Sequence, residues 1–307
     1  MPSPTEAGPG SGGEILTPAL LRAWALPHGA DSKYARGQVA IVGGARRAPG
    51  AVLLAGGAAL RAGAGRLTLG VAESVAVAVA VALPESGVAG LAETRSGSVR
   101  GNSLPVMADD LSGADAVLLG SGLDDAEETA GLVSALPGML SGRTGLVLDA
   151  FALGVLPRLG AGALVAQGDA DTRIVLTPNT KEAGHLLGRD LDQSDLGRLS
   201  DDAGRIADTF GAVVSCQGVI AAPGSGRWLV GTGQGGLGTS GSGDVLAGTI
   251  VGLLARGATA HQAACWGTYL HAAAGDRLNA RLGPTGYLAR ELVDELPALL
   301  AELGQQA

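Results

Sequence analysis

Cysteine and aromatic residues are scarce in this chain: its 307 residues include two cysteines, three tryptophans, three tyrosines and two phenylalanines. Cys216 and Cys265 have no Cys-x-x-Cys partner and no histidine at metal-ligand spacing. That pattern excludes a zinc ribbon or a disulfide framework and fits a reducing, cytoplasmic home. With aromatics at 3% and hydrophobic residues at 46%, the core has to be built from Ala, Val and Leu, which suits helices packed closely on a sheet. Basic clusters are lacking as well. Lys and Arg number 21 against 29 Asp and Glu, a net charge of -8, so neither nucleic acid nor an anionic membrane is an expected partner. Small phosphorylated ligands remain open, because main-chain amides hold them without net positive charge. The most membrane-like run, Val75 to Leu83, falls far below the roughly 20 residues of a spanning helix and is flanked by Glu73 and Glu85. The opening MPSPTEAGPGSGG has neither a basic n-region nor an apolar h-region, so residues 1–13 read as a disordered tail and not a signal peptide. Residues 14–307 show no linker, charge run or internal repeat and read as a single domain.

What is present alternates between strand and helix. LTPALLRAWAL, Leu16 to Leu26, has a Thr-Pro start and apolar spacing that predict a short helix. QVAIVGG, GAVLLAGGAALRAGAG and RLTLGVA then read as strand, buried helix and strand, a βαβ unit with the unbroken apolar strands of a parallel sheet. ADAVLLGSGL, TGLVLDAFAL and TRIVLTPN continue the series, with strand ends at glycine, Asp149 and Asn179. GAVVSCQGVIAAP followed by RWLVG resembles a hairpin, and from Val245 onward the chain reads as helix almost throughout. The fold class is α/β, and because ligands in such sheets bind beyond the carboxyl ends of the strands, these strand ends are expected to border one crevice.

Two G-x-G-x-x-G matches, Gly8 to Gly13 and Gly231 to Gly236, carry little weight: with 52 glycines such matches arise by chance, and neither sits between a strand and a directly following helix. No G-x-x-x-x-G-K-[ST] occurs. GTSGSGDVLAG, Gly238 to Gly248, differs because it runs straight into an apolar helix. First-turn amides with a glycine backbone can point at an anion, and Asp244 beside them can take a proton during phosphoryl transfer. The plainer reading is a simple N-cap; the number of glycines, which capping does not need, favours the anion site. In TPNTKE, Asn179 and Glu182 could orient a Mg2+ near phosphates or close a capping box on the first turn of a helix. Asp149 is either an acid facing the crevice or a turn former. His271 reads as a packed core or interface histidine, Trp266, Tyr269 and Leu270 as helix packing, and Cys216 as a small buried hydrophobe.

Taken in order, SKYARGQVAIVGGARRAPGAVLLAGGAALRAGAG, the LPE at Leu83 to Glu85, ADAVLLGSGL, LVLDAFAL, IVLTPNTKEAGHLLG, SGSGDVLAGTIVGLLARG and LHAAAGDRL resemble the ADP/ATP-dependent NAD(P)H-hydrate dehydratases of the ribokinase-like superfamily. The resemblance spans about Leu16 to Leu303. It implies a ribokinase-like three-layer sandwich, a central mostly parallel sheet flanked by helices. It also implies repair of the S epimer of hydrated NADH or NADPH through transient phosphorylation of the C6 hydroxyl, with ADP or ATP as donor, and a homo-oligomer. Carried over by position, Asp244 is the base; Gln217, Gly218, Ser240, Gly241, Ser242 and Gly243 contact the nucleotide; Ala51, Gly122, Asn179 and Asp244 contact the hydrated cofactor; Glu182 supports Mg2+. The chain departs from the family in several places. It has TPNTKE for TPHPGE, LDAFAL for LDADAL, SGSGD for GGTGD, and VVSCQG where a Lys-Gly loop is usual, with Gln217 near the missing lysine. A small-alcohol kinase or a non-catalytic nucleotide-binding paralogue are the alternative readings.

Overall fold

A computed structural model describes residues 13–27, 32–164, 173–191, 195–224, 226–233 and 235–304; residues 1–12 of the expected tail lie outside them. Strands run in the order β1 (Glu14–Leu16), β2 (Gln38–Val42), β3 (Arg66–Ala72), β4 (Gly87–Leu91), β5 (Ala116–Leu119), β6 (Gly145–Leu148), β7 (Ile174–Leu176), β8 (Val213–Cys216), β9 (Val219–Ala221) and β10 (Arg227–Val230). Between and after them lie α1 (Pro18–Ala23), α2 (Gly50–Arg61), α3 (Ala76–Ala82), α4 (Ala108–Ser112), α5 (Ala126–Ala135), α6 (Phe151–Leu159), α7 (Thr180–Leu187), α8 (Leu196–Phe210), α9 (Ser242–Ala255), α10 (Ala260–Leu282) and α11 (Ala289–Gly304).

All ten strands form one sheet, ordered β1-β10-β9-β8-β7-β6-β5-β2-β3-β4. Among the described strands only β9 runs against its neighbours, and the expected hairpin is a three-stranded meander of β8, β9 and β10. Side chains alternate between the two faces, as strand geometry requires. Val39 and Ile41 of β2 enter a core with α2, α9, α10 and α11, while Ala40 and Val42 enter the opposite core with α4, α5, α6 and α8. The result is the ribokinase-like three-layer α/β sandwich that the resemblance implies.

Small side chains set the layer spacing. Gly248 and Gly252 of α9 face Ala55 and Ala59 of α2 so closely that a Cβ on Gly248 would overlap the Ala55 carbonyl oxygen, and one on Gly252 would lie 2.6 Å from that of Ala59. The Leu16–Leu26 stretch holds the expected short helix with its Thr-Pro start, trimmed at both ends. Leu16 closes edge strand β1, Thr17 caps α1 by accepting the Leu20 amide at 3.2 Å, and the helix stops at Ala23. Pairing with β10 outweighs helical spacing at Leu16. Strand β4 and helices α5 and α8 escape the sequence reading because they are short or amphipathic rather than uniformly apolar, whereas α7 starts at the Asn179 cap that the sequence offered. No helix among the described residues is long and apolar enough to cross a membrane.

Candidate active site

The sheet order reverses at β2. From there the chain builds outward to β3 and β4, then returns to β5 on the other side, which makes the carboxyl ends of β2 and β5 the switch point where open α/β sheets bind ligands. The two ends are stitched together: the Gly44 amide donates to the Ser121 carbonyl at 2.9 Å and the Ala45 amide to that of Gly122 at 2.8 Å. Gly122 has φ 72, a left-handed conformation that favours glycine, and a Cβ there would lie 3.1 Å from the Ala51 methyl on the first turn of α2. Ala51 and Gly122, 71 positions apart in the chain, are therefore neighbours.

One turn further along α2, Leu54 fills the space a side chain on Gly241 would need, so the glycine loop before α9 rests on the same helix. Gly241 occupies the N-cap position at φ 88, and no side chain caps α9. The Ser242 amide donates back to the Thr239 carbonyl at 3.2 Å. The Gly243 and Asp244 amides stay directed out of the helix, where the positive end of its dipole adds to them. Asp244 follows directly, half-buried. Burial pushes its carboxyl above the ordinary range, while the Ser121 hydroxyl acts in the opposite direction by favouring the charge. That hydroxyl is itself buried and, among the described residues, is the one buried side-chain polar atom outside bonding geometry with any protein partner. Ser121 lies two residues past the end of β5.

Asp149 is buried at its strand end, where its carbonyl also accepts the Ala152 amide at 3.1 Å. It is 5% exposed at the end of β6 and accepts a 2.7 Å hydrogen bond from Thr177 Oγ1, which follows β7. Its carboxyl is pushed up from 3.8 to about 8, first by burial and then by the negative charge of Asp244; the Thr177 bond opposes the shift and Glu182 adds to it. The Asp149 carboxyl thus feels the negative charge of both Asp244 and Glu182. The next residue, Ala150, has φ 49, a left-handed conformation costly for a residue with a Cβ, and the chain turns there directly into α6. Because the folded pKa of Asp149 lies above the unfolded one, its contribution to stability is complete below about pH 3.8 and is lost as the pH rises towards about 8. The D149N variant, whose amide oxygen can still accept from Thr177, is expected to flatten the fall of Tm across that window relative to the wild type. Parallel melting curves at stepped pH check this.

Asn179 and Glu182 form the capping box of α7. The Glu182 amide donates to Asn179 Oδ1 and the Asn179 amide to Glu182 Oε2, both at 2.9 Å. Their side chains also line a cleft of about 480 Å³ with Ala150, Phe151, Val155 and Lys181. Glu182 keeps one oxygen outside the capping box, and burial pushes its carboxyl upward. No group of three His, Cys, Asp or Glu side chains suited to holding a metal occurs among the described residues. Gln217 and Gly218 are the two-residue turn between β8 and β9, both at positive φ (49 and 79), the pattern of a type I′ hairpin turn. The Gln217 side chain is exposed there.

Cys216 is buried, its thiol pushed up to about 12 by burial, and is inert as expected. Trp266 is a packing residue whose Nε1 donates to the Trp24 carbonyl at 2.9 Å. His271 is buried as expected, yet it meets the site: its Nε2 lies 2.9 Å from Ser242 Oγ. No local signal in the sequence links two residues 29 positions apart. Gly231 to Gly236 lies in the loop after β10, with Ser242 the first residue of the next helix, so the dinucleotide-motif reading fails on geometry too.

A mostly parallel sheet with a crevice at its switch point, and an uncapped helix start next to a carboxylate, define an α/β enzyme of the ribokinase-like class. A ribokinase-like superfamily protein from Enterococcus faecalis has the same fold, with a TM-score of 0.80 over 98% of this chain and 100% of that one at 22% identity. The chain belongs to the NAD(P)H-hydrate dehydratase family, whose model matches residues 39–298. An ADP-dependent (S)-NAD(P)H-hydrate dehydratase of Xanthomonas campestris pv. campestris is 43% identical, with 94% of this chain and 96% of that one covered. An ADP/ATP-dependent NAD(P)H-hydrate dehydratase of Bacillus subtilis, co-crystallised with ATP/Mg2+, superposes with a TM-score of 0.77 at 26% identity over 94% of this chain and 98% of that one. The chain spans about half the length of the bifunctional repair enzymes it also matches, 54% of the one from Moorella thermoacetica.

Proposed function

We propose that this chain dehydrates the S epimer of hydrated NADH or NADPH at the expense of ADP or ATP, with Asp244 as the base. The observation that carries the reading is the position of Asp244, on the first turn of an uncapped helix and beside the Ser121–Gly122 strand end. The C6 hydroxyl oxygen of the substrate attacks the terminal phosphorus of the nucleotide, the bond from that phosphorus to the bridging oxygen breaks, and Asp244 takes the hydroxyl proton. Phosphate is a far better leaving group than hydroxide. The ring nitrogen's electron pair expels it from C6, and loss of a proton from C5 completes the dihydronicotinamide ring. The amides of Gly243 and Asp244, with Ser240 to Ser242 before them, hold the phosphoryl group as it moves. Gln217 and Gly218 border the nucleotide, and Ala51, Gly122 and Asn179 border the hydrated ring.

Mg2+ ordinarily takes one or two carboxylates and completes its shell with water and phosphate oxygens, so the free oxygen of Glu182 fits it without a three-ligand cluster. Bound there, it would neutralise charge on the donor phosphates. We place the protein in the cytoplasm, which suits its two buried free thiols. We also infer a homo-oligomer: Val77 and Val81 of α3, 80% and 77% exposed and one helical turn apart beside edge strand β4, provide an apolar face for a second copy.

Gly243 offers a test specific to the nucleotide loop. Among the described residues a Cβ there meets nothing within 4 Å, so none of them requires glycine. On helix propensity, G243A stabilises α9 by about 1 kcal/mol. The added methyl enters the space reserved for phosphate, so KM for ADP is expected to rise by about 10-fold or more while Tm holds or increases. Unchanged ADP affinity in G243A would remove the nucleotide from this loop. Hydrated NADH mixed with wild-type enzyme and ADP or ATP should recover reduced-nicotinamide absorbance; a stable phosphorylated product with no recovery would instead indicate the small-alcohol kinase.

A further inference from the structure

Helix α10 presents one polar and small-residue face to the phosphate-handling loops. Thr268 Oγ1 lies 2.7 Å from Ser215 Oγ in β8, and His271 Nε2 lies 2.9 Å from Ser242 Oγ. Asp276 accepts the Gly233 amide at 2.8 Å and the Thr232 hydroxyl. Ala272 is packed against Gly233, and Gly275 against Leu237 and the Tyr287 hydroxyl, which donates to the Gly235 carbonyl at 3.0 Å. Positions 268, 271, 272, 275 and 276 recur at three- and four-residue steps, so they share one side of the helix. That side grips the chain from β8 through the loop to the start of α9.

Most of these bonds hold loop backbone at a distance from the proposed chemistry; the His271 bond does not. Ser242 is the residue before Gly243 and two before Asp244, and at 4% exposure it is buried, as is His271 at 7%. No side chain caps this helix end, so the first turn of α9 lacks the usual fixing bond, and the Ser242–His271 contact supplies one from outside the helix. Burial pushes the imidazole down to about 4, so the ring is neutral at working pH, while its contact with Ser242 acts in the opposite direction. A neutral ring adds no charge to the site. Its contribution is geometric.

We propose that His271 is a positioning residue of the nucleotide site: by holding Ser242 from α10, it fixes the turn of α9 that aims the Gly243 and Asp244 amides and the Asp244 carboxylate. The proposal rests on the assignment of the glycine loop to the phosphoryl group.

Two variants of comparable polarity test it. Gln at position 271 places an amide nitrogen near the Nε2 position and reaches Ser242; Asn stops one atom short. H271N is expected to lower kcat/KM for ADP by about 10-fold or more, with kcat falling along with affinity because both amides and base shift. H271Q is expected to stay within about 3-fold of wild type, and S242A/H271N to lose no more than S242A alone, since both changes break the same bond. Melting curves accompany each variant. Equal kinetics in H271Q and H271N, whether both normal or both impaired, would overturn the proposal and leave the bond as a core contact only. If G243A weakens ADP binding while H271N does not, the positioning role alone fails. If neither does, the loop assignment fails with it.

Discussion

Replacing Asp244 by Asn is expected to leave a folded protein that recovers reduced-nicotinamide absorbance about 1,000-fold more slowly with ADP, a loss within the range a positioned general base supplies. The size follows from the chemistry: an alcohol hydroxyl must lose its proton as the phosphorus is attacked, and Asp244 is the carboxylate that shares the α9 turn with the outward amides. The fold should tolerate the change. Burial already disfavours the charge of Asp244, and a neutral amide of the same shape fills the same space, so Tm is expected to hold or rise. Lowered pH is not an equivalent experiment, because burial also raises the carboxyls of Asp149 and Glu182, and the negative charge of Asp244 adds to the shift of Asp149. The measurement is single-turnover recovery at saturating nucleotide, beside a binding isotherm for ADP. Wild-type turnover in D244N would transfer the base role elsewhere. A lost signal with lost ADP binding would make Asp244 a binding residue instead.

The largest expected effect on stability comes from a single methyl group. G248A is expected to cost about 3 kcal/mol or more and to lower Tm by about 6 °C, although the substitution favours the helix by about 1 kcal/mol on propensity alone. A Cβ on Gly248 would overlap the backbone carbonyl of Ala55, and backbone cannot rotate aside as a side chain can. The two helices must part. Because α2 carries Ala51 and Leu54 while α9 carries Gly241 to Asp244, parting them also separates the halves of the crevice, so activity should fall further than the unfolded fraction explains. G243A, five residues away on the same helix, makes a matched control: the same exchange, with open space where Gly248 has Ala55. Thermal melts of the two variants side by side should diverge in sign. Similar Tm values would mean that α2 and α9 are less tightly apposed than the packing requires.

Much of the site could be read from local chemistry. A glycine run directly ahead of an apolar helix, with an acid on its first turn, singles out Gly241 to Asp244 because capping a helix needs only one polar residue. The strand ends that border the crevice could be read because apolar runs stop at Gly, Asp or Asn. Ala51 and Gly122 carry no chemistry of their own and were legible only through family resemblance. Asp149 stayed ambiguous because a residue at a strand end does not reveal whether its side chain turns inward, and Asn179–Glu182 because capping and ligand binding use the same spacing. The structure has the capping box formed and one Glu182 oxygen still outside it.

The amino-acid sequence by itself determined the alternation of strand and helix and the close packing of helices on a sheet. Scarce aromatics and abundant Ala, Val and Gly allow little else, and hydrophobic periodicity is a local property. Only the tertiary structure decided which residues meet at the switch point, that burial pushes the Asp149 carboxyl upward, and that His271 touches Ser242. The reason is that these depend on distance and dielectric between segments far apart in the chain, and those are settled only when the sheet and its helices close around them.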